Sequence, residues 1–139
     1  MYTSCMNKPQ SSEFYTPGVC NINVKEVAYR RKAGKIVSAF GVAVLMVLLL
    51  TSAPYFLGLL VFIPAVLAAL SFLQAKNNFC VQYAAAGKYN GSDQYAKTEQ
   101  VSNEADKKRD AIKSRQIYLQ SVGIGVVCTV LSLIILAAR

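Results

Sequence analysis

The alternation of apolar and polar stretches divides the chain into three crossings and their wet flanks. From Ile36 to Gln74 there is no charged residue. As one α-helix this run would be about twice as long as a hydrocarbon core of roughly 30 Å, so a single straight span does not account for it. Thr51, Ser52, Ala53 and Pro54 lie near its midpoint and carry its only turn chemistry. Proline lacks an N–H and pushes the preceding residue out of helical φ/ψ, which fits a boundary better than a helix interior. The run therefore predicts a tight hairpin of two membrane helices, about 34–53 and 55–74. A further uncharged segment, 117–138, is long enough to cross once more with some tilt. The expectation is an all-α integral membrane protein with three transmembrane helices.

The flanks complete the layout. Residues 1–22 read as a flexible polar arm, disordered to about Phe14, with no cleavable leader ahead of the first apolar run. Residues 23–86 read as a juxtamembrane helix plus the hairpin. Asn23 is a good N-cap, and Glu26 stands where a capping box places its acid. Pro64 falls near the centre of the second helix, which is expected to run on through Ala75–Ala86 and stop at Gly87. An inner loop, 87–101, turns at Asn90-Gly91, and Tyr83 and Tyr89 suit the headgroup level. Residues 102–139 hold an amphipathic ramp and the third span. In the ramp, Glu104 with Lys108 and Asp110 with Lys113 are spaced for ion pairs, and Ile112 alone breaks the polarity of a solvated helix.

Composition supports this picture: 54% of residues are hydrophobic and only 16% charged. The net charge of +8 is a topology signal rather than a nucleic-acid footprint, because the basic residues flank apolar spans and match no nucleic-acid module. Lys8, Lys25, Arg30, Arg31, Lys32 and Lys35 precede the first span against two acids, Glu13 and Glu26, and the segment 76–116 also has a basic excess. The positive-inside rule then gives a multi-pass protein of the plasma membrane with its N-terminus in the cytoplasm and its C-terminus outside. Arg30, Arg31, Lys32 and Lys35 form a collar suited to anionic lipid headgroups, or to a phosphate or acidic partner.

Candidate chemistry is sparse. The chain has no histidine, and its spans contain no Asp, Glu, Lys or Arg, which argues against proton relays, voltage sensing and ion-coupled transport. No metal or cofactor is expected. Ser38, Gly41 and Gly58 are small positions in the hairpin, and Ser121, Gly125, Thr129 and Ser132 share one face of the last span. Such a stripe lets helices approach, either against the hairpin or against a second copy. Cys128 reads as a small packing residue beside it, and Gln120 as a hydrogen-bonding group at the interface. The four cysteines (Cys5, Cys20, Cys80, Cys128) form no Cys-x-x-Cys pair. The hairpin topology returns Cys20 and Cys80 to one rim. They are then a redox pair, two ligands of a metal completed from outside, sites of acylation, or two unrelated thiols of a reducing compartment.

Cys20, Asn21, Ile22, Glu26, Arg30, Arg31 and Gly34, with Phe79, Cys80, Tyr83, Gly87, Tyr89 and Asn90, form two separated blocks. In these the chain resembles a group of small bacterial membrane proteins without an assigned activity, over roughly residues 20–120. Asn23 stands where that group usually carries glycine. The resemblance implies the three-helix layout and no reaction. The function expected is that of a non-enzymatic structural or accessory subunit of a membrane assembly, or of a homo-oligomer. The alternatives are a thiol-dependent redox enzyme or sensor using Cys20 and Cys80, and an anionic-lipid or phosphate-binding module built on Arg30, Arg31 and Lys32. Its partners are the bilayer and other membrane subunits or itself, not nucleic acid; no small-molecule ligand is specified.

Overall fold

The computed structural model describes residues 15–92 and 94–139. The expected disorder up to about Phe14 lies outside the described residues. The chain is mostly helical, and three of its helical segments are long and apolar enough to cross a membrane. Helix α1 (Val24–Leu50) joins the juxtamembrane segment and the first crossing without a break. A 3-10 segment (Tyr55–Val61) leads into α2 (Phe62–Asn77), and together they make the second segment long and apolar enough to cross. A short α3 (Val81–Ala85) follows, then strands β1 (Lys88–Tyr89) and β2 (Glu99–Gln100). Helix α4 (Glu104–Ala137) holds the third such segment and its polar extension. The two strands pair antiparallel, Lys88 opposite Gln100.

The hairpin turn falls on the residues that carry turn chemistry. Thr51 caps α1, and its hydroxyl donates to the Val47 carbonyl at 2.8 Å. Ser52 takes the left-handed conformation (φ 51°), and Pro54 opens the 3-10 segment. That segment moves Pro64 away from the middle of an α-helix to the third residue of α2, where its missing N–H costs little.

The bundle is built around α2: α1 and α4 each pack along it and scarcely touch one another. One continuous seam on α4 makes its side of this contact. Asp110, Ser114, Ile117, Ser121, Gly125, Thr129, Ser132 and Leu136 are all buried and recur every three or four residues. The membrane half of this seam is the predicted small-residue stripe, which packs on the hairpin. Ser132 Oγ donates to the Gly58 carbonyl at 3.1 Å, and Gly125 lies so close to Val66 that an added Cβ would sit 2.3 Å from its Cγ2. Outward from the bundle, large apolar side chains such as Phe40 (63% exposed) and Ile63 (66%) form the surface that contact with lipid requires.

Three local expectations are corrected. The second crossing does not run on to Ala86: Asn78 turns left-handed (φ 51°) and caps α2, and α3 is a separate turn. Glu104 pairs with Lys107 at 2.6 Å rather than with Lys108. Asp110 makes no pair with Lys113, because it is buried under the segment before α1.

Candidate functional site

At the polar end of the bundle, residues 15–30 and 74–117 fold together into a compact headpiece. The two sequence blocks singled out above meet there. Its apolar content is small: Ile22, Val27, Ala75 and Cys80 form one cluster, and Phe79, Ala84 and Ile117 another. Buried polar side chains do the rest of the joining. Buried polar groups are tolerated only when hydrogen-bonded, so each of these contacts fixes register as well as proximity.

Asn21 (1% exposed) is the central bridge. Its amide donates to the Cys80 carbonyl at 3.0 Å and its oxygen accepts from the Cys80 N–H at 2.6 Å. Its own backbone donates to the Asn78 carbonyl and accepts from the Asn90 N–H. Asn23 caps α1 by accepting from the Glu26 N–H at 2.9 Å, while its amide donates to the carbonyls of Ser92 and Gln94. Only half of the capping box forms. Glu26 turns away from Asn23 and accepts from the Tyr83 hydroxyl at 2.7 Å and the Ala96 N–H at 3.2 Å; its second oxygen, Oε2, is buried without a protein partner. Asn90 organises the Asn90–Gln94 turn by accepting from Ser92 and donating to Gln94.

The segment before α1 is not a free arm over residues 15–22. A tight turn joins Thr16 to Cys20, with Gly18 at φ 72°, a conformation costly for other residues. This turn sits on α4: the Gly18 N–H donates to Asp110 Oδ1 at 2.6 Å, and the Tyr15 hydroxyl to Asp110 Oδ2 at 2.8 Å. Tyr15 also stacks on Tyr89, with ring centroids 4.3 Å apart. Tyr83 and Tyr89 thus serve internal bonds, the latter donating to Glu99.

These phenol–carboxylate pairs make the headpiece sensitive to alkali. Burial and the bond to Asp110 raise the Tyr15 phenol well above its ordinary value near 10, and burial and the bond to Glu26 do the same for Tyr83. For an acid whose folded pKa is raised, the stabilisation is whole below the unfolded value and is lost as pH climbs from there through the folded one. Thermal stability in detergent is therefore expected to hold to about pH 10 and to fall as the pH rises further. Tyr15→Phe/Tyr83→Phe should flatten that fall while lowering stability at neutral pH.

Cys20 and Cys80 both belong to the headpiece but are in different states. Cys20 is disulfide-bonded, whereas Cys80 and Cys128 are free thiols, so Cys20 and Cys80 are not joined to each other. Cys80 is fully buried, and its Sγ accepts from Arg30 Nη2 at 3.0 Å. Arg30 is thereby withdrawn from the basic collar. Arg31, Lys32 and Lys35 remain exposed beside a shallow depression of about 310 Å³ on α1. Among the described residues, no cluster of His, Cys, Asp and Glu could hold a metal ion.

Below the collar, the separation of α1 from α4 leaves an apolar groove of about 490 Å³ floored by α2. Ser38, Gly41 and Val42 form one wall, Ala65 and Ala68 belong to the floor, and Cys128 lies on the opposite wall. Cys128 is therefore half-buried at a groove rather than enclosed in a core, and Gln120 is exposed at a separate depression that Cys128 also lines. The headpiece residues are poorly legible in the sequence because buried Asn, Asp and Glu look there like any wet surface. The two blocks of residues that carry the resemblance are the one available signal. Comparison with known protein families, curated proteins and solved structures finds no match, so the role of this site is argued from its geometry.

Proposed function

We propose that the protein is a non-enzymatic membrane protein, serving as a structural or accessory subunit whose headpiece docks another membrane component. The observation that carries this reading is how the headpiece spends its polar groups. Asn21, Asn23, Glu26 and Asp110 are buried and each bonds across segments of the chain itself, while buried Asn90 ties down its own turn. They fix a shape and leave no open cleft of converging acids and bases. What the shape presents outward includes Tyr29 (54% exposed) and Tyr95 (55%), packed edge to face with centroids 5.5 Å apart. Exposed aromatic pairs of this kind are typical anchors of protein contacts. The small-residue stripe of α4 is spent on the hairpin, so self-association through it has no support.

The excess of positive charge on both flanks favours a cytoplasmic headpiece. A disulfide at Cys20 weighs the other way, since disulfides are rare in reducing compartments. A protease site placed in 88–100 decides the side: cleavage from outside intact cells would reverse the proposed orientation.

The subunit reading is tested by extraction from native membranes in mild detergent and measurement of particle mass. The expected particle is heavier than one 15.1 kDa chain and its detergent. Tyr29→Ala/Tyr95→Ala should release a lone, folded chain. A wild-type particle of one copy, with no partner recovered, overturns the reading.

A further inference from the structure

We infer that the basic depression and the apolar groove form one binding site for an anionic phospholipid, with its phosphate on Arg31, Lys32 and Lys35 and an acyl chain between α1 and α4. This goes beyond the subunit reading and does not depend on it. The argument begins with helix geometry. Arg31, Lys35, Ser38, Val42 and Leu45 are spaced by four, three, four and three, so they lie on one face of α1. The first two border the depression and the last three line the groove. Cationic side chains therefore stand directly above an apolar channel, and Lys35 is one turn from its upper end.

The charge pattern selects the headgroup. No acidic residue lines the depression or the groove among the described residues. Glu26, the acid of α1, is turned inward onto Tyr83. Arg30 is occupied by Cys80, which narrows the collar to the three cations facing the groove side. A zwitterionic headgroup would bring a cation of its own against these three, whereas a net-anionic one is attracted by all of them. The groove selects the chain: its walls are almost wholly apolar, and small side chains at Ser38, Gly41, Ala65 and Ala68 leave room for a narrow hydrocarbon rather than a branched polar molecule.

The test uses the purified full chain in a neutral detergent. It measures how much fluorescent phosphatidylglycerol or phosphatidylcholine comigrates on size exclusion. Phosphatidylglycerol should be retained at least tenfold better. Each cation is worth about fivefold, so R31Q/K32Q/K35Q should lower its retention tenfold or more. The variant K97Q/K108Q/R109Q, which removes the same charge from the headpiece, should change it less than twofold. Val42→Trp and Cys128→Phe obstruct the groove from opposite walls, and each should reduce retention of both lipids; Val42 is exposed at the rim, so its variant keeps the fold.

Several results would overturn the proposal. Equal loss in the two charge variants would mean attraction to net charge alone. Competition by inorganic phosphate or by glycerophosphoglycerol as effective as by the whole lipid would mean an anion site without a chain. Unchanged retention in both groove variants would likewise leave the acyl chain without a place in the groove. Efficient crosslinking of Cys128 between two copies would place a second protein there instead.

Discussion

In the Asn21→Ala protein the Cys80 thiol is expected to be alkylated about a hundred times faster than in the wild type. Asn21 closes a two-way bridge to the backbone of Cys80, and both partners are buried. Truncation leaves the Cys80 N–H without a bond and takes one of two donors from its carbonyl, which keeps the Ala84 N–H; an unpaired buried group costs about 1–3 kcal/mol. A combined cost of about 3 kcal/mol raises the population of the opened headpiece roughly a hundredfold. Cys80 is fully buried and free, so its modification reports that population directly when reclosing is fast. Mass-resolved alkylation separates Cys80 from Cys128. Asn21→Asp keeps the acceptor and loses the donor, so its rate should fall between the two. A rate for Asn21→Ala within twofold of the wild type would remove Asn21 from the centre of the headpiece.

The second large effect lies within the membrane. Gly125→Leu is expected to pry α4 from α2 and to lower the detergent unfolding midpoint by the equivalent of about 3 kcal/mol, the upper range for overpacking. An added Cβ meets Val66 Cγ2 at 2.3 Å, with the Val66 backbone nitrogen and Cα at 3.3 and 3.4 Å behind it. Valine is stiff at χ1 in a helix, so the clash cannot be relieved by swinging the side chain aside. The bond from Ser132 to Gly58 lies on the same seam and should be lost as the helices part. Gly125→Ala combined with Val66→Ala should recover most of the stability lost by Gly125→Ala alone, because it removes the colliding methyl. Gly123, two positions away but facing open space, is the control: Gly123→Ala should be neutral or slightly stabilising.

The crossings were legible because long uncharged runs have few alternatives, and the turn at Thr51–Pro54 because left-handed and proline-compatible positions need particular residues. The α4 stripe was legible for a related reason: small residues at helical spacing on an apolar helix must face something. The headpiece was not. Asp110 reads as one charge in a mixed-sign ramp, and nothing local says that its partners are Tyr15 and Gly18, more than 90 positions away in the chain. Arg30 looks identical to Arg31 in sequence, yet one faces a buried sulfur and the other is exposed. The difference is set by rotation about the α1 axis against α2 and α3, which neither charge nor propensity records. The left-handed Asn78 likewise ends α2 early because Cys80 must return to Asn21, a demand of the tertiary fold.

The unbroken seam of α4 has a mechanical consequence. The helix is about 51 Å long at the usual rise, and the same face that seats Asp110 under the Tyr15 turn seats Ser132 against Gly58. Its helical run is unbroken between these points, so the two ends are keyed through one continuous helix. Torque applied to the headpiece by a docked neighbour cannot dissipate within the polar half. It must either be resisted at the Gly125–Val66 pivot or emerge as a change in the gap between the outer helices on the far side of the bilayer.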